Sequence, residues 1–248
     1  MSGLLRFCAL LLLVGWIAFW LPLAAVASLF HNKKLRDRMV QIACKGLLWL
    51  FNVRVNIIGD VYSRRPLLLV SNHLSYLDIP VLGSAVDCRF VPKKEIANWP
   101  VISTICKILD VVYVDRDVRK ISEGNQSIAG KLAQGEAVVL FPEATTGDGR
   151  HLLPFKPAFF QAAQGIVVQP VAIAYRKIRG LPIDFGQWPL IAWYGDMSLL
   201  PHLWTLLSLG RIEVELHFLP PIISAGKDRK ILASQSHDAI ERVLLDKN

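Results

Sequence analysis

A histidine and an aspartate lie five positions apart in the segment SNHLSYLDIP, directly after the apolar run PLLLV. In such a pattern the carboxylate of Asp78 holds one ring nitrogen of His73 and leaves the other nitrogen free to act as a base. An imidazole is suited to taking a proton from a hydroxyl, which contributes typically about 10²–10⁴-fold to a rate. Asp78 precedes Pro80 at the expected start of a helix, so we expect it to cap that helix as well. The alternative is a structural histidine beside such a cap.

A second polar segment, VVLFPEATTGDG over residues 138–149, also follows an apolar run. It brings Glu143, Thr145 and Thr146 to the carboxyl end of a strand. The glycine-rich loop that comes next has backbone N–H groups that suit an anionic or polyhydroxyl ligand, although a polar turn is the other interpretation. Between the two segments, VVYVDRD places Arg116 where it either clamps a phosphate or pairs with a neighbouring aspartate.

Short apolar runs rich in β-branched and aromatic residues predict the strands that carry these segments. The runs are PLLLVS, RFVP, VVYV, AVVLFP, VVQPVAIAY and IEVELHF. Helical patterns lie between them, notably over Val118 to Ala133 and over Lys227 to Leu245. Strands that alternate with helices predict an α/β fold, with one domain built on a mixed, mainly parallel sheet covered by helices. Functional sites in such folds gather at the carboxyl ends of the strands.

The N-terminal region is apolar, since no residue from Phe7 to Phe30 is charged. That length is sufficient for a helix to cross a hydrocarbon layer of about 30 Å. Four basic residues follow between positions 33 and 38, so the positive-inside rule puts the remainder on the cytoplasmic side. We therefore expect a membrane anchor over residues 1–55, spanning or monotopic, and a catalytic domain over residues 56–248. A cleaved signal peptide is the alternative.

The composition favours a lipid surface as a partner. The net charge is +8, and 53% of the residues are hydrophobic. Positive charge suits anionic lipids, acidic carrier proteins and nucleic acid, but no module of basic and aromatic residues points to nucleic-acid binding. The four cysteines show no metal-binding or disulfide spacing, which indicates reduced thiols.

Four ordered segments resemble the blocks of the phospholipid/glycerol acyltransferase family, which includes the 1-acylglycerol-3-phosphate acyltransferases. NHLSYLD resembles the N-H-x-x-x-x-D block, VVYVDR the second block, FPEATT the F-P-E-G-T-R block and VVQPVAI the fourth block. VPKKEIANWPVI is similar to the segment that links the first two blocks. The resemblance covers about residues 56–219.

The resemblance implies that His73 is the general base and that Asp78 orients it. The acyl donor is then a thioester of acyl carrier protein or coenzyme A, the acceptor is a lyso-lipid in the bilayer, and neither a cofactor nor a metal is expected. The enzyme is expected at a bacterial inner membrane, with its catalytic domain on the cytoplasmic face. The expected substrate-binding residues lie in or beside the four blocks: Asn72, Lys93, Lys94, Arg116, Phe141, Pro142, Glu143, Ala144, Thr145 and Thr146.

Two positions of the third block depart from the family pattern. Ala144 stands where glycine is usual, and Thr146 stands where an arginine is usual. In the family that arginine is thought to help hold the acceptor phosphate, and threonine cannot replace its bidentate donors. We expect 1-acylglycerol-3-phosphate as the acceptor, to give phosphatidic acid. The alternative is lyso-ornithine lipid, because TTGDG and AWYGDM look similar to the lyso-ornithine-lipid acyltransferase branch.

Two other classes of function remain open. A lipid hydrolase would use Ser71 or Ser75 as nucleophile, but the chain has no G-x-S-x-G elbow. A lipid-binding protein that has lost activity is the other alternative, since two positions of the third block have changed.

Overall fold

The computed structural model describes residues 3–29, 33–91 and 121–246. The helices are α1 (Gly3–Leu29), α2 (Lys33–Leu50), α3 (Asp78–Ala85), α4 (Ile121–Ala133), α5 (Leu199–Leu206) and α6 (Arg229–Leu245), with short 3₁₀ helices at Pro157–Ala163 and Trp188–Leu190. The strands are β1 (Val53–Ile58), β2 (Leu67–Ser71), β3 (Arg89–Phe90), β4 (Ala137–Leu140), β5 (Val167–Ile178), β6 (Leu181–Pro182), β7 (Ile212–Phe218) and β8 (Ile222–Ile223).

All eight of these strands form one mixed sheet, in the order β1-β7-β5-β2-β4-β3, with β6 and β8 paired to β5. Strands β5, β2, β4 and β3 are parallel neighbours, whereas β7 is antiparallel to β5 and parallel to β1. The central strand β2 is buried along its whole length, as expected for an apolar strand with helices on both faces. The predicted α/β fold with a mainly parallel sheet is confirmed.

Alternate side chains of the strands enter two separate hydrophobic cores, one on each face of the sheet. Leu69, Val139 and Ile173 pack on the face covered by α3 and α5. Leu68 and Val138 pack on the opposite face, under α4 and α6. Because β2 and β4 are parallel neighbours, their carboxyl ends lie side by side at the same end of the sheet.

Helices α1 and α2 pack together and against the first core. A Cβ atom on Gly46 of α2 would meet the ring of Trp16 on α1, so a residue without a side chain allows this close approach. Leu13 and Leu48 are buried in the core, whereas Phe19 and Trp49 are 60% and 76% exposed. Within the described ranges, no helix is long and apolar enough to cross a membrane, so the membrane-crossing helix expected in the N-terminal region is not found.

A buried group of charges joins α2 to the sheet. Arg89 Nη1 lies 2.8 Å from Asp37 Oδ1 on α2, and Arg89 Nε lies 3.2 Å from Glu136 Oε2 just before β4. Glu136 Oε1 is in turn 2.7 Å from Lys33 Nζ. Separating buried charges of this kind is strongly unfavourable, typically about 3–5 kcal/mol when one partner is removed. The cluster therefore fixes α2 to β3 and to the start of β4.

Candidate active site

His73 and Asp78 make the contact that their spacing predicts. His73 lies in the loop after β2, and Asp78 is the first residue of α3. Nδ1 of His73 is 2.8 Å from Oδ2 of Asp78. A carboxylate oxygen can only accept, so Nδ1 carries the hydrogen and the lone pair is on Nε2. Among the described residues, Nε2 has no hydrogen-bond partner, which leaves it available to a substrate hydroxyl.

Asp78 does not cap its helix, which corrects the expectation from the sequence. Leu77 occupies the N-cap position, and no side chain makes a capping hydrogen bond there. The carboxylate turns back into the loop instead, where Oδ2 also accepts from the backbone N–H groups of Leu74 and Ser75 at 2.7 and 2.9 Å. These bonds wind the loop around the carboxylate and hold His73 above it.

Asn72 is tied to the neighbouring strand. Its side-chain amide donates to the carbonyl oxygen of Ile173 and accepts from the N–H of the same residue, at 3.0 and 2.8 Å. Both polar atoms of the side chain are therefore used inside the protein, and Asn72 is buried. Asn72 therefore anchors the His73 loop to β5. The substrate-binding role predicted for Asn72 stays a prediction.

Glu143 joins the second polar segment to His73. Its Oε1 accepts from the backbone N–H of His73 at 2.6 Å, and its Oε2 accepts from the N–H of Leu153 at 3.1 Å. Burial raises the pKa of Glu143 to about 8, and the charge of Asp78 acts in the same direction, while the two backbone N–H groups oppose the shift. A protonated Glu143 leaves Asp78 as the negative charge that faces the imidazole.

Phe141 and Pro142 shape the site through packing and backbone contacts. The Phe141 ring stacks on the His73 imidazole, with 4.1 Å between centroids and 17° between planes. Pro142 is buried, and its carbonyl oxygen accepts from the N–H of Lys156 at 3.0 Å. The stacked ring covers one face of the imidazole and holds its orientation.

The loop after Glu143 lies directly against the histidine loop. Ala144 is buried with a φ of 62°, a left-handed conformation that favours glycine. The N–H of Gly147 donates to the carbonyl oxygen of His73 at 2.8 Å. Thr145 is exposed and Thr146 is half-buried. The turn therefore places the two threonines beside the histidine loop.

Two opposite charges follow on the same loop. The carboxylate of Asp148 accepts from the N–H of Arg150 at 3.0 Å, and its Oδ2 lies 3.8 Å from Arg150 Nε. The guanidinium also lies over the ring of Phe185, 3.9 Å from its centroid. Both charged groups remain about one-third exposed, so they are open to a ligand.

Some predicted residues cannot be placed. Lys93, Lys94 and Arg116 lie outside the described residues, so their roles stay predictions. The other predicted site residues lie together at the carboxyl ends of β2 and β4.

Sequence reasoning missed one residue that supports the site. The hydroxyl of Tyr175 on β5 donates to Oδ1 of Asp78 at 2.7 Å. Its position at alternate spacing from Ile173, near the end of an apolar strand, was the available signal. His202 does not contact these residues; its Nδ1 lies 3.0 Å from the hydroxyl of Tyr76. Burial lowers the pKa of His202, which favours a neutral, structural imidazole.

The chain is similar to known acyltransferases. A family model described as Acyltransferase matches residues 52–174. The lyso-ornithine lipid O-acyltransferase of Brucella abortus is 39% identical over 206 residues, covering 79% of this chain and 77% of the relative. The one from Pseudomonas aeruginosa is 35% identical, covering 94% and 90%. The 1-acyl-sn-glycerol-3-phosphate acyltransferase of Neisseria gonorrhoeae is 30% identical, covering 86% and 83%.

A solved structure has the same fold. The acyltransferase PlsC of Thermotoga maritima matches with a TM-score of 0.75 and 21% identity, covering 97% of this chain and 93% of the other. At that level of identity the match bears on the fold alone, and it agrees with the mixed sheet and its covering helices.

Proposed function

Because this chain belongs to the acyltransferase family, we propose that it is an O-acyltransferase that moves a fatty acyl group from a thioester to the free hydroxyl of a lyso-lipid. The observation that carries the proposal is the pair formed by His73 and the buried carboxylate of Asp78. That pair fixes the tautomer that a general base requires. It lies beside a loop with exposed polar and charged groups, where an acceptor headgroup fits.

The proposed reaction is a direct transfer. Nε2 of His73 takes the proton from the acceptor hydroxyl, and the oxygen attacks the carbonyl carbon of the thioester. The tetrahedral intermediate collapses, the carbon–sulfur bond breaks, and the imidazolium returns its proton to the leaving thiolate. Asp78 stabilises the imidazolium between the two proton transfers. The donor is acyl carrier protein or coenzyme A, both of which are acidic and match the positive charge of the chain.

We propose lyso-ornithine lipid as the acceptor. Two observations support it: the relatives of that name are the more similar ones described above, and Thr146 lacks the guanidinium that would clamp a phosphate. The neighbouring Asp148 and Arg150 offer one negative and one positive group. Ornithine carries an ammonium and a carboxylate, which match this pair of charges.

Lyso-phosphatidate, the first acceptor that the sequence suggests, is the second candidate. The similarity to the 1-acyl-sn-glycerol-3-phosphate acyltransferase of Neisseria gonorrhoeae supports it. Lys93, Lys94 and Arg116 would then have to supply the charge that holds the phosphate.

The N-terminal helices suit attachment to a bilayer, where either acceptor resides. Large apolar side chains on α1 and α2 are more than half exposed: Phe7, Leu11, Leu12, Val14, Phe19, Ile42 and Trp49. Insertion of such side chains into the boundary of the acyl chains is favourable by roughly 25 cal/mol for each Å² removed from water. We propose that α1 and α2 hold the enzyme on the cytoplasmic face of a bacterial inner membrane.

The experiment is an assay of thioester consumption by membranes that contain the enzyme. Acyl carrier protein and coenzyme A donors are each combined with lyso-ornithine lipid or with lyso-phosphatidate, and the His73→Ala variant is the matched control. We expect turnover with lyso-ornithine lipid and none with the variant. Turnover with lyso-phosphatidate alone would reverse the order of acceptors. A variant with near-normal turnover would overturn the proposed mechanism.

A further inference from the structure

Tyr175 reaches the catalytic loop because β5 is longer than its neighbour. Ser71, the last residue of β2, pairs with Val171, so β5 continues past the point where β2 ends. Tyr175 lies four residues further along, on the same face as Val171 and Ile173, and is 4% exposed. The extension brings its hydroxyl to 2.7 Å from Oδ1 of Asp78.

The carboxylate of Asp78 is completely buried, so its charge depends on its hydrogen bonds. Oδ2 accepts from Nδ1 of His73 and from the N–H groups of Leu74 and Ser75. Within the described part of the chain, Oδ1 accepts only from Tyr175. Four donors therefore bind the carboxylate, three on Oδ2 and one on Oδ1. Among the described residues, Tyr175 supplies the only donor on Oδ1, the oxygen that does not contact the imidazole.

The phenol is held in its donating form. Burial is the main cause that raises the pKa of Tyr175 well above its usual value, and the charge of Asp78 adds to the effect. The hydroxyl thus stays protonated and donates to Asp78 across the pH range in which an imidazole base works.

We propose that Tyr175 is a positioning residue for acyl transfer, which acts through Asp78 on the strength of His73 as a base. The proposal rests on the proposed function of the His73–Asp78 pair. The phenol draws negative charge toward Oδ1 and fixes the plane of the carboxylate, so that Oδ2 meets Nδ1 in line. No proton leaves Tyr175 during the reaction.

The test is the Tyr175→Phe variant of the full chain, assayed as a pH–rate profile. Loss of the hydrogen bond that fixes the plane of the Asp78 carboxylate is expected to lower kcat by about 10–100-fold, with little change in KM for either substrate. Without the phenol, more charge resides on Oδ2 and the imidazolium is stabilised. The acid limb of the profile therefore moves to higher pH. A purely structural role would lower the amount of folded enzyme and leave the limb where it was.

The matched control is Tyr76→Phe. Tyr76 is a half-buried tyrosine packed against the same core, but its hydroxyl contacts Nδ1 of His202 rather than Asp78. We expect no movement of the acid limb in this variant, whatever its overall activity. An equal shift in both variants would overturn the assignment to Tyr175.

A second variant keeps the test decisive if Tyr175→Phe fails to fold. A fluorinated tyrosine at position 175 retains the shape and the hydroxyl, but it is a stronger donor. The acid limb should then move to lower pH, opposite to the effect of phenylalanine.

If His73→Ala abolishes turnover while neither change at position 175 moves the limb, the role of Tyr175 is refuted and the proposed function stands. Turnover that survives His73→Ala would refute the proposed function itself.

Discussion

Replacement of Glu143 by glutamine is expected to change how the stability of the protein depends on pH. Burial raises the pKa of Glu143 to about 8 in the folded protein, from a reference value of 4.5. The folded state therefore binds this proton more tightly than the unfolded state. The stabilising effect of this proton is complete below the pKa of Glu143 in the unfolded chain, and it is lost as the pH rises through about 8.

The size of the effect follows from the difference between the two pKa values. Each unit corresponds to about 1.4 kcal/mol, so the contribution of Glu143 falls by about 4 kcal/mol between roughly pH 5 and pH 9. About one-third of that loss falls between roughly pH 7 and pH 9. Glutamine does not titrate and contributes no such slope. Its amide keeps an acceptor for the N–H of His73 but turns a donor toward the N–H of Leu153, which costs about 1–3 kcal/mol at every pH.

The assay is urea unfolding in a non-ionic detergent, for the wild type and for Glu143→Gln, at acidic, neutral and alkaline pH. We expect the free energy of unfolding of the wild type to fall toward that of the variant as the pH rises. Glu241→Gln on α6 serves as a control for a carboxylate outside the site. Parallel pH curves for the wild type and Glu143→Gln would refute the reasoning, because they would mean that Glu143 is ionised throughout.

Four further predictions concern single residues. Asp78→Asn should lower turnover by about 10³-fold or more in the thioester assay, because its amide no longer selects the tautomer in which Nε2 of His73 is the base. Ala144→Val should be less stable than Ala144→Gly by at least about 2 kcal/mol in thermal unfolding, since a β-branched residue is strained at a φ of 62°. Thr146→Arg should raise the ratio of lyso-phosphatidate to lyso-ornithine turnover by about 10-fold, because it restores a bidentate donor. Trp49→Glu should weaken sedimentation with anionic vesicles by about 10-fold or more, and unchanged binding would count against membrane attachment through α2.

The local parts of the site were predictable from the sequence. The contact between His73 and Asp78 is local, because the two residues are only five positions apart in the sequence. The structure confirms this contact. Glu143 approaches His73 because two apolar runs form parallel neighbouring strands, which the alternation of strands and helices already indicates. Ala144, where the resemblance implies glycine, has the left-handed backbone that favours glycine.

The remainder depends on contacts distant in sequence. The contact of Tyr175 with Asp78 requires the register of β5 against β2, and no local pattern fixes that register. The expected N-cap role of Asp78 is wrong because four donors in the loop and on β5 outweigh an ordinary capping preference. The antiparallel placement of β7 against β5 is likewise set by packing rather than by the residues of β7 alone.

The pairing of β1 with β7 has a consequence for synthesis on the ribosome. Strand β1 leaves the ribosome before its partner β7, whose first residue, Ile212, follows more than 150 residues after the end of β1. At roughly 5–20 residues per second, β1 waits about 8–30 s for its partner. During that interval its backbone groups are an open edge, able to pair with another nascent chain. An apolar leading segment that settles early on the bilayer would keep neighbouring chains apart until β7 arrives.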